Sequence, residues 1–351
     1  QRLSCRPLLL GPDCRAYFSM RILVTGSSGY IGSRLVLRLQ GAGHDVVGLD
    51  RVEPVDGQAN FTRADLLNPA DYSALLTGVD LICHLAAAKG DWGISMDEYF
   101  RDNVEATRTL LATATRFGIN RWVFYSTVSA LGPSDIPLNE DHERRPQNPY
   151  GESKAKCEEL FESFALENEN AHVVMIRPSV VFGPGNPWNT NILRLIDSIY
   201  RNRFVMIGDG TQIKTTSYID NLLDAHMFAM NKVEAGLRVL HYVDEPALTT
   251  AELVDHIYRC LGRSPSKLRL PLALVSKLAM VADATAAITG IDLPITSARI
   301  RKFCTGTNFS AGAIRNLGYV QSVDSAKAIE LTVEWYLKCF ADERDKRGGR
   351  V

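Results

Sequence analysis

A doubly wound parallel α/β sheet with a smaller, mostly helical C-terminal lobe is the fold that the 351-residue sequence predicts. Three observations predict it. Short apolar runs alternate with helical patterns through the first half of the chain; a glycine-rich turn joins the first run to its helix; and beyond residue 248 the pattern becomes mainly helical. The runs are apolar almost throughout, as strands covered on both faces must be.

In chain order, Arg21–Thr25 (RILVT) reads as a strand entering glycines, and Ile31, Leu35 and Leu39 then recur at helical spacing until Gly41 and Gly43. Asp45–Asp50 (DVVGLD) and residues 79–86 (VDLICHLA), 121–126 (RWVFYS) and 172–176 (HVVMI) read as further strands with helices between them, the Rossmann arrangement. After Gly183, Pro184 and Gly185 the rhythm breaks into a turn-rich stretch with Pro187 and Trp188, where a substrate-facing lobe begins. Residues 218–230 return to the core. Residues 268–288 are rich in Leu, Val and Ala but interrupted by Pro271, Lys277 and Asp283, so they read as a helix of the lobe.

These signals divide the chain into a cofactor domain (20–185 and 212–248) and a substrate lobe (186–211 and 249–340). Residues 1–19, before Met20, and the charged tail 341–351 are expected to lack fixed structure.

Hydrophobic residues at 46%, charged residues at 23% and a net charge of -1 describe an ordinary globular chain with no electrostatic handle on nucleic acid. The seven cysteines, Cys5, Cys14, Cys83, Cys157, Cys260, Cys304 and Cys339, are odd in number and form no C-x-x-C pair, so neither a disulfide framework nor a metal site is expected. A reducing cytoplasm fits that usage. No apolar run reaches the roughly 18 residues of a membrane span, and no signal peptide is read.

Gly26, Gly29 and Gly32 in TGSSGYIG fall between the first strand and its helix, where absent side chains let backbone approach a pyrophosphate at the helix N-terminus. Their G-x-x-G-x-x-G spacing is one residue longer than the usual dinucleotide fingerprint. Asp50 ends the second strand, where its carboxylate can accept from both ribose hydroxyls and repel a 2′-phosphate. NAD is therefore expected over NADP, with Arg51 softening the discrimination.

Tyr150 and Lys154 stand four apart behind Asn148 and Pro149, an N-cap and first-turn pair, so they share one helix face. A neighbouring ammonium, with the positive ring of the cofactor, is expected to bring the Tyr150 phenol down toward a usable base. Ser126 and Thr127 close their strand at its carboxyl end, the ligand-binding edge of such a sheet, where a hydroxyl can orient a substrate oxygen. His84, inside an apolar run, reads as a satisfied core histidine.

The set of TGSSGYIG, Asp65 and Leu66 after a third strand, HLAAA at residues 84–88, Asn103 in DNVEAT, STVSALG, YGESK, RPSVVFGPG and TSYIDN resembles the extended short-chain dehydrogenase/reductase family, also called the NAD-dependent epimerase/dehydratase family. The resemblance runs from Met20 to about residue 340. It implies the catalytic set Thr127, Tyr150 and Lys154, with Lys154 also holding the nicotinamide ribose. It further implies that Asp65 and Leu66 flank the adenine, that Ala86 and Ala87 line the pyrophosphate, and that Pro178 lies near the nicotinamide. Tyr30, Ile31, Leu85 and Asn103 join the cofactor contacts through their motifs, and Lys89, Thr127, Val180 and Lys214 would face substrate.

Departures from the family pattern narrow the activity. Its 4,6-dehydratases follow the active-site Thr with an acidic pair, whereas Thr127 is followed by Val128 and Ser129, so dehydration is not expected. Nucleotide-sugar members commonly carry Asn where this chain has Val180 and Arg where it has Lys214. The expected activity is oxidation of a secondary alcohol by hydride transfer to NAD, as an epimerase or dehydrogenase, on a nucleotide sugar. A 3-beta-hydroxysteroid-type dehydrogenase of a sterol or lipid alcohol is the alternative, and a non-catalytic NAD-binding protein the third. A homodimer is expected through the helices carrying Asn103 and Tyr150, because Cys157, Leu160, Phe161 and Phe164 exceed one core face.

Overall fold

The structure, a computed structural model, describes residues 19–341 apart from 56, 58, 59, 91, 92, 188, 189, 233, 234, 267, 274, 276, 278, 279, 281, 282 and 284–303. The expected N-terminal extension up to residue 18, the tail from residue 342 and most of the apolar stretch 268–288 lie outside the described residues.

The N-terminal half alternates strand and helix as the periodicity requires: β1 (Arg21–Thr25), α1 (Tyr30–Gly41), β2 (Asp45–Asp50), β3 (Phe61–Arg63), β4 (Leu81–His84), α2 (Met96–Tyr99), α3 (Ala106–Arg116) and β5 (Arg121–Tyr125). There follow β6 (Ser134–Leu138), α4 (Pro149–Glu167), β7 (His172–Pro178), β8 (Val180–Phe182), α5 (Asn191–Tyr200), β9 (Met206–Ile207), β10 (Ile213–Lys214), β11 (Thr216–Tyr218) and α6 (Ile219–Lys232). The last described elements are β12 (Gly236–Tyr242), β13 (Leu248–Thr249), α7 (Thr250–Cys260), β14 (Arg269–Leu270), β15 (Thr307–Phe309), α8 (Gly312–Asn316) and α9 (Ser325–Tyr336).

Seven strands form one parallel sheet in the order β12-β7-β5-β4-β1-β2-β3, with the order reversing between β4 and β1. Alternate residues of each strand enter different cores, which is why the sequence runs are apolar throughout. Ile22, Val24, Cys83, Val123 and Ile176 pack under α1 and α6, whereas Leu23, Ile82, Trp122, Phe124 and Met175 pack under α3 and α4. On the second face Phe161 stacks on Phe124 at 4.5 Å and meets Trp122 edge-on at 5.4 Å. That aromatic cluster seats α4, the helix of Tyr150 and Lys154, against β5.

The domain division is finer than the sequence reading drew it. A second sheet, β13-β10-β15-β6, takes β6 and β10 from ranges assigned to the cofactor domain and pairs them with strands of the C-terminal lobe. These strands (SDIPL, IK, LT and TNF) lack the unbroken apolar run that marks the strands of the large sheet, so no local pattern sets them apart. Among the described residues no helix is long and apolar enough to cross a membrane.

Truncating Phe161, which is fully buried, removes its ring contacts with Phe124, Trp122 and His84. Phe161→Ala is expected to cost about 3–5 kcal/mol, read as a lower urea midpoint.

Candidate active site

Gly26 leaves β1 with a φ of 72°, and a Cβ there would meet the Ala86 nitrogen at 2.7 Å. A Cβ on Gly32 would collide with the Gly26 carbonyl, so α1 can start this close to the turn only without a side chain. The N-cap, Gly29, supplies no side-chain cap, and the first turn of α1 holds no acid. The free N–H groups and the positive end of the helix dipole therefore face the carboxyl edge, an anion cradle suited to a pyrophosphate.

At the far end of the cradle Asp50 accepts from Ser28 N and Val52 N, both at 3.1 Å, which holds its carboxylate beside the glycine turn. The Arg51 guanidinium pairs with Asp102 at 3.0 Å and lies 3.9 Å from Asp65. It thus stands at the ribose end of the cradle, held beside two carboxylates. These residues fit a dinucleotide with an unphosphorylated ribose.

The other residues expected at the cofactor have partners within the chain or core positions. The Tyr30 hydroxyl donates to the Pro184 carbonyl at 3.1 Å, so Tyr30 and Ile31 offer the cradle their first-turn backbone. Leu66 is a core side chain, and Asp65 caps its own turn by accepting from Leu67 N. Leu85, Ala86 and Ala87 follow β4 as the facing wall, where Ala86 N donates to the Thr25 hydroxyl at 3.3 Å. Pro178 is buried at the end of β7. The buried Asn103 amide brackets Ala88, at 2.6 Å from N and 3.2 Å from O, and donates to Ser153 at 2.8 Å. It latches the alanine loop to α4.

On the chemical side Asn148 caps α4 by accepting from Gly151 N at 2.8 Å, with Pro149 in the first turn, as the sequence predicts. A Cβ on Gly151 would lie 2.5 Å from the Ser129 carbonyl. That close approach brings the first turn of α4, with Tyr150, onto the turn that follows Thr127. The Thr127 oxygen accepts from Ser129 N at 3.2 Å, which leaves its O–H to donate to a substrate oxygen.

Among the chain's own groups, burial pushes the Tyr150 phenol up, helped by Cys157 and Tyr99. Lys154 is itself buried, its ammonium 4.2 Å from the centroid of the Phe124 ring, and burial pushes it down against the pull of Cys157 and Glu158. The reason is desolvation, which disfavours both charged forms at once.

His84 is a satisfied core histidine, with Thr25 Oγ1 at 2.8 Å from Nδ1 and Thr107 Oγ1 at 2.9 Å from Nε2. On the other face of the sheet His226 stacks on Tyr125 at 5.7 Å, and burial pushes it down to about 3.

Around the substrate end, Tyr99 pins the loop after the alanines by donating to Gly90 O at 2.5 Å, and Lys89 is exposed there. Val180 is half-buried in β8 opposite Thr216. The Lys214 ammonium donates to the Thr305 carbonyl, so the charge expected to face substrate is anchored to the C-terminal lobe. Sequence reasoning missed the buried pair Glu158 and Arg177 behind the site, joined by the half-buried Arg144. The available signal was Glu158 at eight residues past Tyr150, on the same helix face.

Residues 22–243 match the profile of the NAD dependent epimerase/dehydratase family. The chain is 29% identical over 315 residues to the N-acetyl-alpha-D-glucosaminyl-diphospho-ditrans,octacis-undecaprenol 4-epimerase of Escherichia coli O157:H7, covering 90% of this chain and 94% of that one. It is 28% identical over 324 residues to the 2-alkyl-3-oxoalkanoate reductase of Stenotrophomonas maltophilia, covering 87% and 96%. Among solved structures it is similar to MoeE5 in complex with UDP-glucose and NAD, with a TM-score of 0.72, 27% identity, and 92% and 100% of the two chains covered.

Two predictions follow from this geometry. Asp50→Ala removes a charged hydrogen-bond acceptor, so NAD binding measured by calorimetry should weaken by about 10- to 100-fold. His226 takes up a proton at about pH 6.5 when unfolded but only near 3 when folded, so acid pH favours the unfolded chain. Its contribution to stability is whole above about pH 6.5 and is lost as pH falls. His226→Phe should therefore lose less stability than the wild type between about pH 7 and 5, by about 2 kcal/mol in urea unfolding.

Proposed function

The chain belongs to the NAD dependent epimerase/dehydratase family, and we propose that it oxidises a sugar ring hydroxyl and restores it with inverted configuration, acting on a nucleotide sugar. The observation that carries the reading is the close packing of the start of α4, which bears Tyr150 and Lys154, onto the turn that follows Thr127, beside an uncapped, acid-free helix N-terminus.

NAD, when bound, supplies the hydride acceptor and a positively charged ring. The chain's own residues move the proton. Thr127 donates its hydroxyl hydrogen to the reacting oxygen and orients it, and Tyr150 takes the substrate proton at its phenolate oxygen. Because burial pushes that phenol up, its ionised form depends on positive charge, and Lys154 four residues on is the chain's contribution. Lys154 is buried and Tyr150 half-buried, so the wall that carries them is largely out of water. Val128 and Ser129 after Thr127 offer no acid to expel water, which supports epimerisation or simple oxidation over dehydration.

Specific observations favour a second reading, the same chemistry on a sugar diphosphate carried by a long aliphatic chain. Val180 offers a phosphate no hydrogen bond, and Lys214 donates to Thr305. The segment after Arg263 exposes Leu268 (57%), Leu272 (43%) and Met280 (60%) beside the cations Arg269 and Lys277. Relatives named for an undecaprenol-linked sugar and for 2-alkyl-3-oxoalkanoates match through this lobe. The same surface supports the hydroxysteroid-type alternative, whereas the complete Thr127, Tyr150 and Lys154 set speaks against a non-catalytic protein.

We place the enzyme in the cytoplasm as a homodimer. In support, the five described cysteines are free. Cys157 and Phe161 turn into the chain's own core, but α4 still carries half-buried Leu160 and Phe164 and an 86% exposed Leu166.

Tyr150→Phe should keep NAD affinity within about two-fold and lower kcat by about 10³-fold or more on the true substrate. A thermal-shift and turnover panel of UDP-, GDP- and dTDP-sugars, sugar diphosphopolyprenols and sterols with NAD identifies that substrate. Stabilisation by a nucleotide sugar is the expected result. Stabilisation only by the polyprenol or a sterol replaces the first reading with the corresponding alternative.

A further inference from the structure

One turn past Lys154, and on the face of α4 that carries Tyr150, the Glu158 side chain has no access to water. Its Oε1 accepts from Ser126 Oγ at 2.5 Å and Arg177 Nε at 2.8 Å. Its Oε2 accepts from Arg177 Nη2 at 2.7 Å and Arg144 Nη1 at 3.2 Å. The donors come from three places. Ser126 immediately precedes Thr127 at the end of β5, Arg177 immediately precedes Pro178 at the end of β7, and Arg144 lies in the segment leading to α4.

The cluster extends outward. Arg144 forks onto Glu162 at 2.8 and 2.9 Å. Arg177 reaches His241 Nε2 at 3.5 Å, and His241 Nδ1 faces the Ser310 carbonyl at 3.1 Å in the C-terminal lobe.

Stability alone does not account for such a cluster, because apolar side chains of similar volume often replace a buried ion pair without loss. What an ion cluster adds is register, since each lone pair has one donor in one direction. A turn's displacement of α4 would leave the carboxylate unpaired in the interior. We propose that Glu158 is a positioning residue of the reaction, locking α4 to Ser126 and Arg177 so that Tyr150 and Lys154 meet Thr127 in the reacting geometry. The proposal rests on the hydride-transfer reading above.

The test uses three variants of the full chain, Ser126→Ala, Glu158→Gln and the double variant Glu158→Leu with Arg177→Met, with Tyr150→Phe as reference. Thermal midpoint, NAD affinity, kcat and KM are measured for each. Ser126→Ala leaves no buried charge unpaired, so it should fold and lose about 3- to 10-fold in kcat with KM and NAD affinity within about two-fold. Glu158→Gln should lose about 100-fold in kcat. The double variant should regain the wild-type thermal midpoint without regaining kcat. A double variant that recovers kcat with stability would overturn the proposal, as would a Ser126→Ala enzyme with unchanged kcat. If Tyr150→Phe turns over like the wild type, the hydride-transfer reading fails; if it is inactive while Glu158→Gln is not, only the positioning role fails.

Discussion

A carboxylate without water needs its charge matched and every lone pair filled, and the site is arranged around one that meets both conditions. Glu158 is held by Arg177, Arg144 and the Ser126 hydroxyl. Those bonds tie the ends of β5 and β7 to α4, the three elements that present Thr127, Pro178 and the Tyr150–Lys154 pair. The Phe161–Phe124–Trp122 stack seats the same helix without fixing its register, because dispersion contacts tolerate sliding that directional hydrogen bonds do not. Packing and charge therefore do different work on one helix.

The cofactor half depends on the backbone. Gly26 and Gly32 let α1 begin against β1 and the alanine wall, and Asp50 closes the far end. Around this cradle Arg51 pairs with Asp102 and Asp65, and Asn103 latches Ala88 to Ser153. Such latches make the wall rigid before a ligand arrives, which lowers the entropic cost of binding.

The parallel sheet was legible because two-sided burial writes unbroken apolar runs, so β1 and β2 appear at the expected residues and β4, β5 and β7 differ only at their ends. Asn148 and Pro149 marked the start of α4, and the Tyr150–Lys154 spacing gave their common face. Less was legible wherever distant segments decide the outcome. The small sheet joins β6 to β15 across some 170 residues, and no local pattern encodes that pairing. Burial is hidden for a related reason: the Tyr150–Lys154 spacing shows a neighbouring ammonium but not the desolvation that pushes the phenol up and the ammonium down. Lys214 likewise keeps its charge in the sequence while its anchoring to Thr305 exists only in the fold.

The account's central claim is that one carbon of the substrate gives up a hydride and receives it back within a water-excluding site. Turnover of substrate deuterated at the reacting carbinol carbon tests this directly, with the product read by mass spectrometry and NMR. The account predicts that the deuterium stays on that carbon in the inverted product, with none lost to water and none gained from D2O by protiated substrate. Washout of the label, or solvent deuterium at that carbon or its neighbour, would contradict it.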